Sequence, residues 1–321
     1  PYNDIIRKFI DMYAGRLRNQ VSFMLSACNF YMPIFEEALD AYGLPLELRY
    51  LPIIESALNP SAVSRAGASG LWQFMIGTGK IYGLESNSLV DERRDPIKAT
   101  WAAARYLKEM YDIYGDWNLV IAAYNCGPGT INKAIRRANG ETDYWKIYNY
   151  LPKETRGYVP AFIAANYVMT YYCDHNICPM ETNIPASTDT VQVNKNLHFE
   201  QIADLCNVPL DQIKSLNPQY KKQMIPGDSK PYTLRLPIDA ISTFIDKQDT
   251  IYAHRADELF RNRKTVAVKE ITPSTRKTTT AVAGKGKLTY YTIKSGDTLS
   301  TIAGKYGVTI KDIQRWNGMS N

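Results

Sequence analysis

No stretch of this 321-residue chain approaches the roughly 18 to 20 consecutive apolar residues that cross a bilayer, so no membrane-spanning helix is predicted from it. A cationic-then-apolar leader is missing as well. The chain begins at Pro1-Tyr2 without an initiator Met, so we expect that an N-terminal piece has been removed, and the missing leader leaves location open. Histidine is scarce, with three residues. The five cysteines (Cys28, Cys126, Cys173, Cys178 and Cys206) are odd in number and irregularly spaced, which excludes a paired disulfide framework. Cys173 and Cys178 flank Asp174-His175-Asn176 closely enough to bridge; most of the cysteines are expected to be small buried apolar groups. His175 between them fits no standard zinc spacing and lacks an evident fourth ligand, so neither a metal site nor a cofactor is expected. Blocks of one charge sign are also missing. The net charge of +6 is spread along the chain, which suits an anionic partner such as a cell wall but gives no basic stripe for nucleic acid.

What is present is enough chain for two or three domains. Residues 1–182 read as helical, with Tyr, Ala, Leu, Ile and Met recurring at three- and four-residue spacing. Asp95-Pro96 opens the clearest helix, as cap and first residue. Ala103, Leu107, Met110 and Tyr114 form its core stripe, and Gly115 ends it. Another helix is expected from about Thr155 to Tyr172. A linker follows at Asn183-Ile184-Pro185-Ala186-Ser187. Residues 188–238 show short β-type runs around a helical pair, 239–263 look helical, 264–287 read as a flexible basic linker, and 288–321 form a last small module. A weak repeat runs at an offset of one hundred positions: Val208 matches Val308, Ile213 matches Ile313 and Asn217 matches Asn317. It suggests two copies of a βααβ unit, the second cut short at Asn321.

Four segments could carry chemistry. In Leu51-Pro52-Ile53-Ile54-Glu55-Ser56-Ala57-Leu58-Asn59-Pro60, Pro52 limits a helix and Asn59-Pro60 stops it. Glu55 then sits near a helix end among apolar neighbours, where the charged form is disfavoured and the pKa rises, as a general acid near neutral pH requires. The alternative is a solvated surface carboxylate. In Ala66-Gly67-Ala68-Ser69-Gly70-Leu71-Trp72-Gln73-Phe74-Met75, the small residues permit a tight turn, and Gln73 at a helix start could recognise an amide. Ala122-Ala123-Tyr124-Asn125-Cys126-Gly127-Pro128-Gly129 ends one helix and begins the next. Thr155-Arg156-Gly157-Tyr158-Val159-Pro160 puts a phenol early in a helix. The acidic cluster Asp91, Glu92 and Asp95 reads as two solvated loop charges and a helix cap.

In this order, Glu55-Ser56, Gly70-Leu71-Trp72-Gln73, Ala123-Tyr124-Asn125-x-Gly-x-Gly and Tyr158-Val159-Pro160 resemble the family 1 lytic transglycosylases, and the Leu51-Pro-x-x-Glu-Ser-x-x-Asn-Pro segment resembles their membrane-bound D type. The resemblance covers roughly residues 30 to 172. The two βααβ copies resemble LysM domains. Ser295-Gly296-Asp297-Thr298-Leu299 is a strong signature in the second copy, whereas the first has Lys195-Asn196-Leu197-His198 there. The resemblance implies a mainly α chain: a lysozyme-like, goose-type helical catalytic domain with an N-terminal helical extension, followed by small βααβ LysM modules. It implies a peptidoglycan substrate, cut at the β-1,4 bond between N-acetylmuramic acid and N-acetylglucosamine. Glu55 would protonate the leaving oxygen, then take the C6 hydroxyl proton as that oxygen closes a 1,6-anhydro ring. Only one carboxylate belongs to the matched motifs, unlike the two-carboxylate glycosidase pattern.

By the same resemblance Ser56, Ser64, Gln73, Met75, Tyr124, Asn125 and Tyr158 bind or orient substrate, with core packing the alternative for Met75 and Tyr124. The expected partner is the glycan strand, the expected state a monomer, and the expected place the Gram-negative periplasm or outer membrane. That leaves room for a lipid anchor on the missing N-terminus. A hydrolytic muramidase on the same fold and a non-catalytic wall-binding protein remain the competing readings.

Overall fold

The computed structural model describes residues 2–182, 184–185, 187–260 and residue 313. The expected linker 264–287 and, apart from Ile313, the last module 288–321 lie outside the described residues, as do residues 261–263 of the expected helical segment.

Helix α1 (Asp4–Ala14) starts where the Asn3 side chain accepts from the Ile5 and Ile6 amides. Helix α2 (Arg18–Ala41) carries Pro33 inside it and buries Val21, Met24, Phe35, Ala38 and Leu39. A 3-10 turn leads into the short α3 (Leu51–Ser56), where Pro52 occupies the first turn. That helix stops three residues sooner than Asn59-Pro60 would impose. Ala57 and Leu58, at φ +52° and +58°, turn the chain in the left-handed region instead. Such a conformation costs a non-glycine residue about 1 kcal/mol or more.

Then come α4 (Ile76–Ile81), α5 (Pro96–Tyr114), α6 (Trp117–Cys126), α7 (Pro128–Arg137), α8 (Tyr144–Ile147) and α9 (Lys153–Thr170). The expectations for α5 hold: Asp95 accepts from the Ile97 and Lys98 amides, Ala103, Leu107 and Met110 are buried, and Gly115 closes the helix at φ +61°. Tyr114 is half-buried, its hydroxyl 3.0 Å from the Pro128 carbonyl. Trp72 anchors the core, fully buried, edge-on to Phe35 and donating through Nε1 to Thr100 Oγ1 at 2.9 Å.

A second core begins after the linker. Strand β1 (Thr188–Val193) leads to β2 (Asn196–His198), α10 (Phe199–Cys206), α11 (Leu210–Leu216), β3 (Met224–Pro226) and β4 (Tyr232–Pro237). β1 pairs antiparallel with β4 from Thr188↔Pro237 to Val193↔Tyr232, and β2 pairs with β3. Asn217, one of the repeat positions, explains itself here. Its buried amide donates to the Ile213 and Arg235 carbonyls and accepts from the Arg235 amide, tying α11 to β4. His198 caps α10 in a reciprocal box with Gln201. It stands where the hundred-residue offset places Thr298, a usual capping residue. Residues from Ile238 on, which the sequence suggests as a helical segment of its own, form α12 (Ile238–Asp246), α13 (Gln248–Ala253) and α14 (Ala256–Leu259). Ala240, Phe244 and Ile251 are buried in the same core as α10, because the amphipathic face of these helices has apolar neighbours there.

The helical domain and this module are joined directly. Leu89 and Val90 belong to the module's core. The Asp91 amide donates to the Gln219 carbonyl and the Lys221 amide to Leu89, each at 2.8 Å. Here two sequence expectations fail. Asp91 and Glu92 are not solvated loop charges; Asp91 is 1% exposed and Glu92 5%. Asp91 grips Arg93 through both carboxylate oxygens, at 2.9 Å to Nε and 2.8 Å to Nη2. Lys221 of the module lies 3.9 Å from the same carboxylate. Glu92 pairs with Lys98 and accepts from the Glu85 amide. The cysteine expectation fails in part. Cys206 is buried, Cys28 and Cys126 are half-buried, and Cys173 and Cys178 are exposed and unbridged.

Candidate active site

The segment between α3 and α4 is a folded-back loop. The Ser64 amide donates to the Ala68 carbonyl at 2.9 Å, and the Ser69 amide donates to the Phe74 carbonyl at 3.1 Å. Gly70 is required in it on two counts. Its φ is +88°, and a Cβ would lie 1.8 Å from the Arg93 carbonyl oxygen. Arg93 fastens the loop from behind, donating through Nη1 to the Gly67 carbonyl at 2.8 Å and the Phe74 carbonyl at 2.9 Å.

This loop and α3 face a cavity of about 430 Å3. Glu55, Ser56, Ala57, Ser64 and Gln73 line it, together with Tyr13, Leu17, Gln20 and Met24 from the N-terminal helices. Among the described residues, Glu55 is the only carboxylate on the lining. Burial pushes its pKa from 4.5 up to about 7. The Tyr158 hydroxyl, which donates to Glu55 Oε1, pulls the other way, and the Glu154 carboxylate adds to the rise. Tyr158 lies on α9 and is nearly buried; burial first, then the Glu55 charge, raises its own pKa far above the ordinary value.

The other expected site residues take distinct places. Ser56 Oγ stands 3.0 Å from the Pro52 carbonyl and 2.9 Å from the Leu71 carbonyl, so its proton is committed to holding α3 against the loop. Ser64 Oγ accepts from the Ala68 amide, which leaves its own proton to donate into the cavity. Gln73 does not start a helix, since α4 begins at Ile76 and Gln73 sits in the turn at φ +48°. Its side-chain NH2 donates to the Gly70 and Ala62 carbonyls, so its oxygen is what remains for a ligand. Tyr124 donates to the Trp72 carbonyl at 2.7 Å and is close enough to feel the Glu55 charge, burial being the larger cause of its raised pKa. Asn125 accepts from Thr155 Oγ1 at 2.8 Å. Tyr124, Asn125 and Met75 are not on the cavity lining; Met75 is 45% exposed just before α4.

Tyr13, Leu17, Gln20 and Met24 were not among the expected site residues. Their helical spacing is visible in the sequence, but nothing local says which distant helix they meet. Ala57 and Gln73, both left-handed, also line the cavity, so backbone strain gathers where the chemistry would be.

A carboxylic acid half-protonated at neutral pH can give a proton and take one back. Where Glu55 must start protonated, kcat/KM falls about tenfold per pH unit above pH 7, reaching roughly one hundredth near pH 9. A rate profile across that range measures it; a flat profile to pH 9 contradicts an acid role for Glu55.

Known proteins share this arrangement in sequence. Residues 32–147 match the Transglycosylase SLT domain, 187–253 the LysM-like domain of lytic transglycosylase MltD, and 291–321 the LysM domain. The membrane-bound lytic murein transglycosylase D of Escherichia coli (strain K12) is 32% identical over 99% of this chain. The chain spans 66% of the length of that relative. The soluble lytic murein transglycosylase of the same strain is 33% identical over 37% of this chain and 19% of its own length. A crystal structure of the 70 kDa soluble lytic transglycosylase from Escherichia coli matches 44% of this chain and 24% of its own, at 29% identity and a TM-score of 0.39. Three domain matches in order, with near-complete coverage by one relative, define the class: the chain belongs to the lytic transglycosylases that join an SLT domain to LysM-type modules.

Proposed function

We propose that this chain cleaves the β-1,4 bond between N-acetylmuramic acid and N-acetylglucosamine in peptidoglycan without water, leaving 1,6-anhydro ends. The observation that carries the reading is a carboxylic acid with a pKa of about 7 on a cavity whose lining, among the described residues, offers no second carboxylate. Protonated Glu55 gives its proton to the glycosidic oxygen as the C1–O bond breaks. The acetamido oxygen of the muramyl sugar stabilises the cationic C1. Glu55, now a carboxylate, takes the proton from the C6 hydroxyl while that oxygen bonds to C1. The sugar closes on itself and Glu55 returns protonated, so no water and no second base are consumed. Tyr158, donating to Glu55, fixes the carboxyl's orientation through both steps. Ser64 and the Gln73 oxygen are the groups left to hold the acetamido and hydroxyl groups of the sugar.

The LysM-type modules hold the glycan strand, and the envelope is the place of action, in keeping with a relative that is membrane-bound. Mass spectrometry of peptidoglycan digested by the full chain tests the reading. Anhydro-ended muropeptides are expected. Reducing ends, one water heavier, would mean a hydrolase, and an undigested sacculus a binding protein.

A further inference from the structure

The cavity has a floor and one wall inside the SLT match and another wall outside it. Tyr13, Leu17, Gln20 and Met24 all precede residue 32, where that match begins, and come from α1, the turn after it and α2. This corner is not a loose flap. Ile6 and Tyr13 are buried, and α1 packs against α9 so closely that a Cβ on Gly157 would meet the Phe9 ring at 3.3 Å. That contact falls one residue before Tyr158, so α1 is held to the helix that orients Glu55.

Two polar groups on this wall are unspent. The Tyr13 hydroxyl is near enough to Tyr158 to bear on its ionisation, yet it makes no hydrogen bond among the described residues. Nor does the side-chain amide of Gln20. A largely buried phenol normally finds a partner. Leu17 and Met24 add apolar surface to the same wall. Apolar surface for the C–H face of a pyranose, together with a hydroxyl and an amide for its substituents, is the composition of a sugar site.

We propose that the α1–α2 corner is a saccharide subsite, in which Tyr13 and Gln20 hydrogen-bond an N-acetylated amino sugar of the strand held at Glu55. The inference rests on the glycan reading of the cavity and adds that the segment before the SLT region supplies part of the binding. Tyr13 and Gln20 act on substrate affinity and make no proton transfer.

The test uses Tyr13→Phe, Gln20→Ala and the double variant in the full chain. Gln20 is exposed, so its truncation leaves the fold intact. On purified glycan strands each single change is expected to lower kcat/KM about five- to tenfold through KM, with kcat and thermal midpoint near the parent's. Calorimetric titration with chitotetraose should show one class of sites lost in the double variant, while sites on the LysM-type modules persist as an internal reference. Parental KM and an unchanged titration in the double variant overturn the subsite. So does a fall in kcat alone together with a lowered thermal midpoint, because that is a packing defect. Should the parent release no anhydro ends yet lose the chitotetraose site on Tyr13 and Gln20 substitution, the subsite stands and the reaction assignment falls.

Discussion

Replacing Glu55 by Gln is expected to lower turnover of peptidoglycan by roughly 10³ to 10⁴, the upper range for losing a general acid–base group. The single residue carries both proton transfers in the proposed route, so no neighbour on the cavity lining can substitute for either. Gln keeps the size and can still accept from the Tyr158 hydroxyl, so glycan binding should survive. The stability effect has the opposite sign. A carboxyl whose pKa is about 7 when folded and 4.5 when unfolded imposes no cost below pH 4.5. Stability is lost as pH rises from there through 7, by about 3 kcal/mol at 1.36 kcal/mol per unit. The Gln variant lacks this loss. It should therefore be the more stable protein at pH 8 and no more stable at pH 4. Denaturant titrations at the two pH values, set beside product assays, check both halves. A variant that clears sacculi at the parental rate removes Glu55 from the mechanism.

Truncating Asp91 to Ala should destabilise the protein by about 3 to 5 kcal/mol, the range for removing one partner of a buried ion pair. The guanidinium of Arg93 would be left buried without its two-point contact. Arg93 also fixes the loop bearing Ser64 and Gln73 through the Gly67 and Phe74 carbonyls, so activity should fall with stability. A drop in thermal midpoint of roughly 10 °C is the expected reading. Pairing Asp91→Leu with Arg93→Met should recover part of the loss, because no orphaned charge then remains. A midpoint within a degree of the parent for Asp91→Ala would mean that the ion pair contributes little to holding the loop.

Much of this architecture can be read from residue patterns alone. Asp95-Pro96 and Gly115 mark α5 because caps and stops act within a few residues of their own position. Glu55, Tyr124 and Tyr158 stand out because they sit in short ordered motifs. What escapes the sequence is set by distance or by unusual backbone. Gln73 reads as a helix start because nothing in its letter signals a left-handed φ, which Gly70 beside it and Arg93 behind the loop impose. Asp91 reads as solvated because two of the groups that enclose it, Gln219 and Lys221, belong to the next module. Ile238 to Leu259 read as a segment apart because the core they cover comes from strands and helices dozens of residues earlier. Nothing in the sequence singles out Tyr13 and Gln20, because α9, which holds α1 in place, is about 150 residues away.

The seating of α1 on α9 has a consequence for how the protein comes into being. Loop-closure entropy grows with the logarithm of the chain enclosed, and a contact between residues 9 and 157 encloses nearly the whole helical domain. Contacts of such long sequence separation form late and slow folding. A groove walled by residue 13, floored by residue 55 and steadied by residue 158 is therefore among the last features to be completed. A chain still emerging from synthesis already carries Glu55 but not the cavity around it, so the proposed activity would wait until the domain is whole.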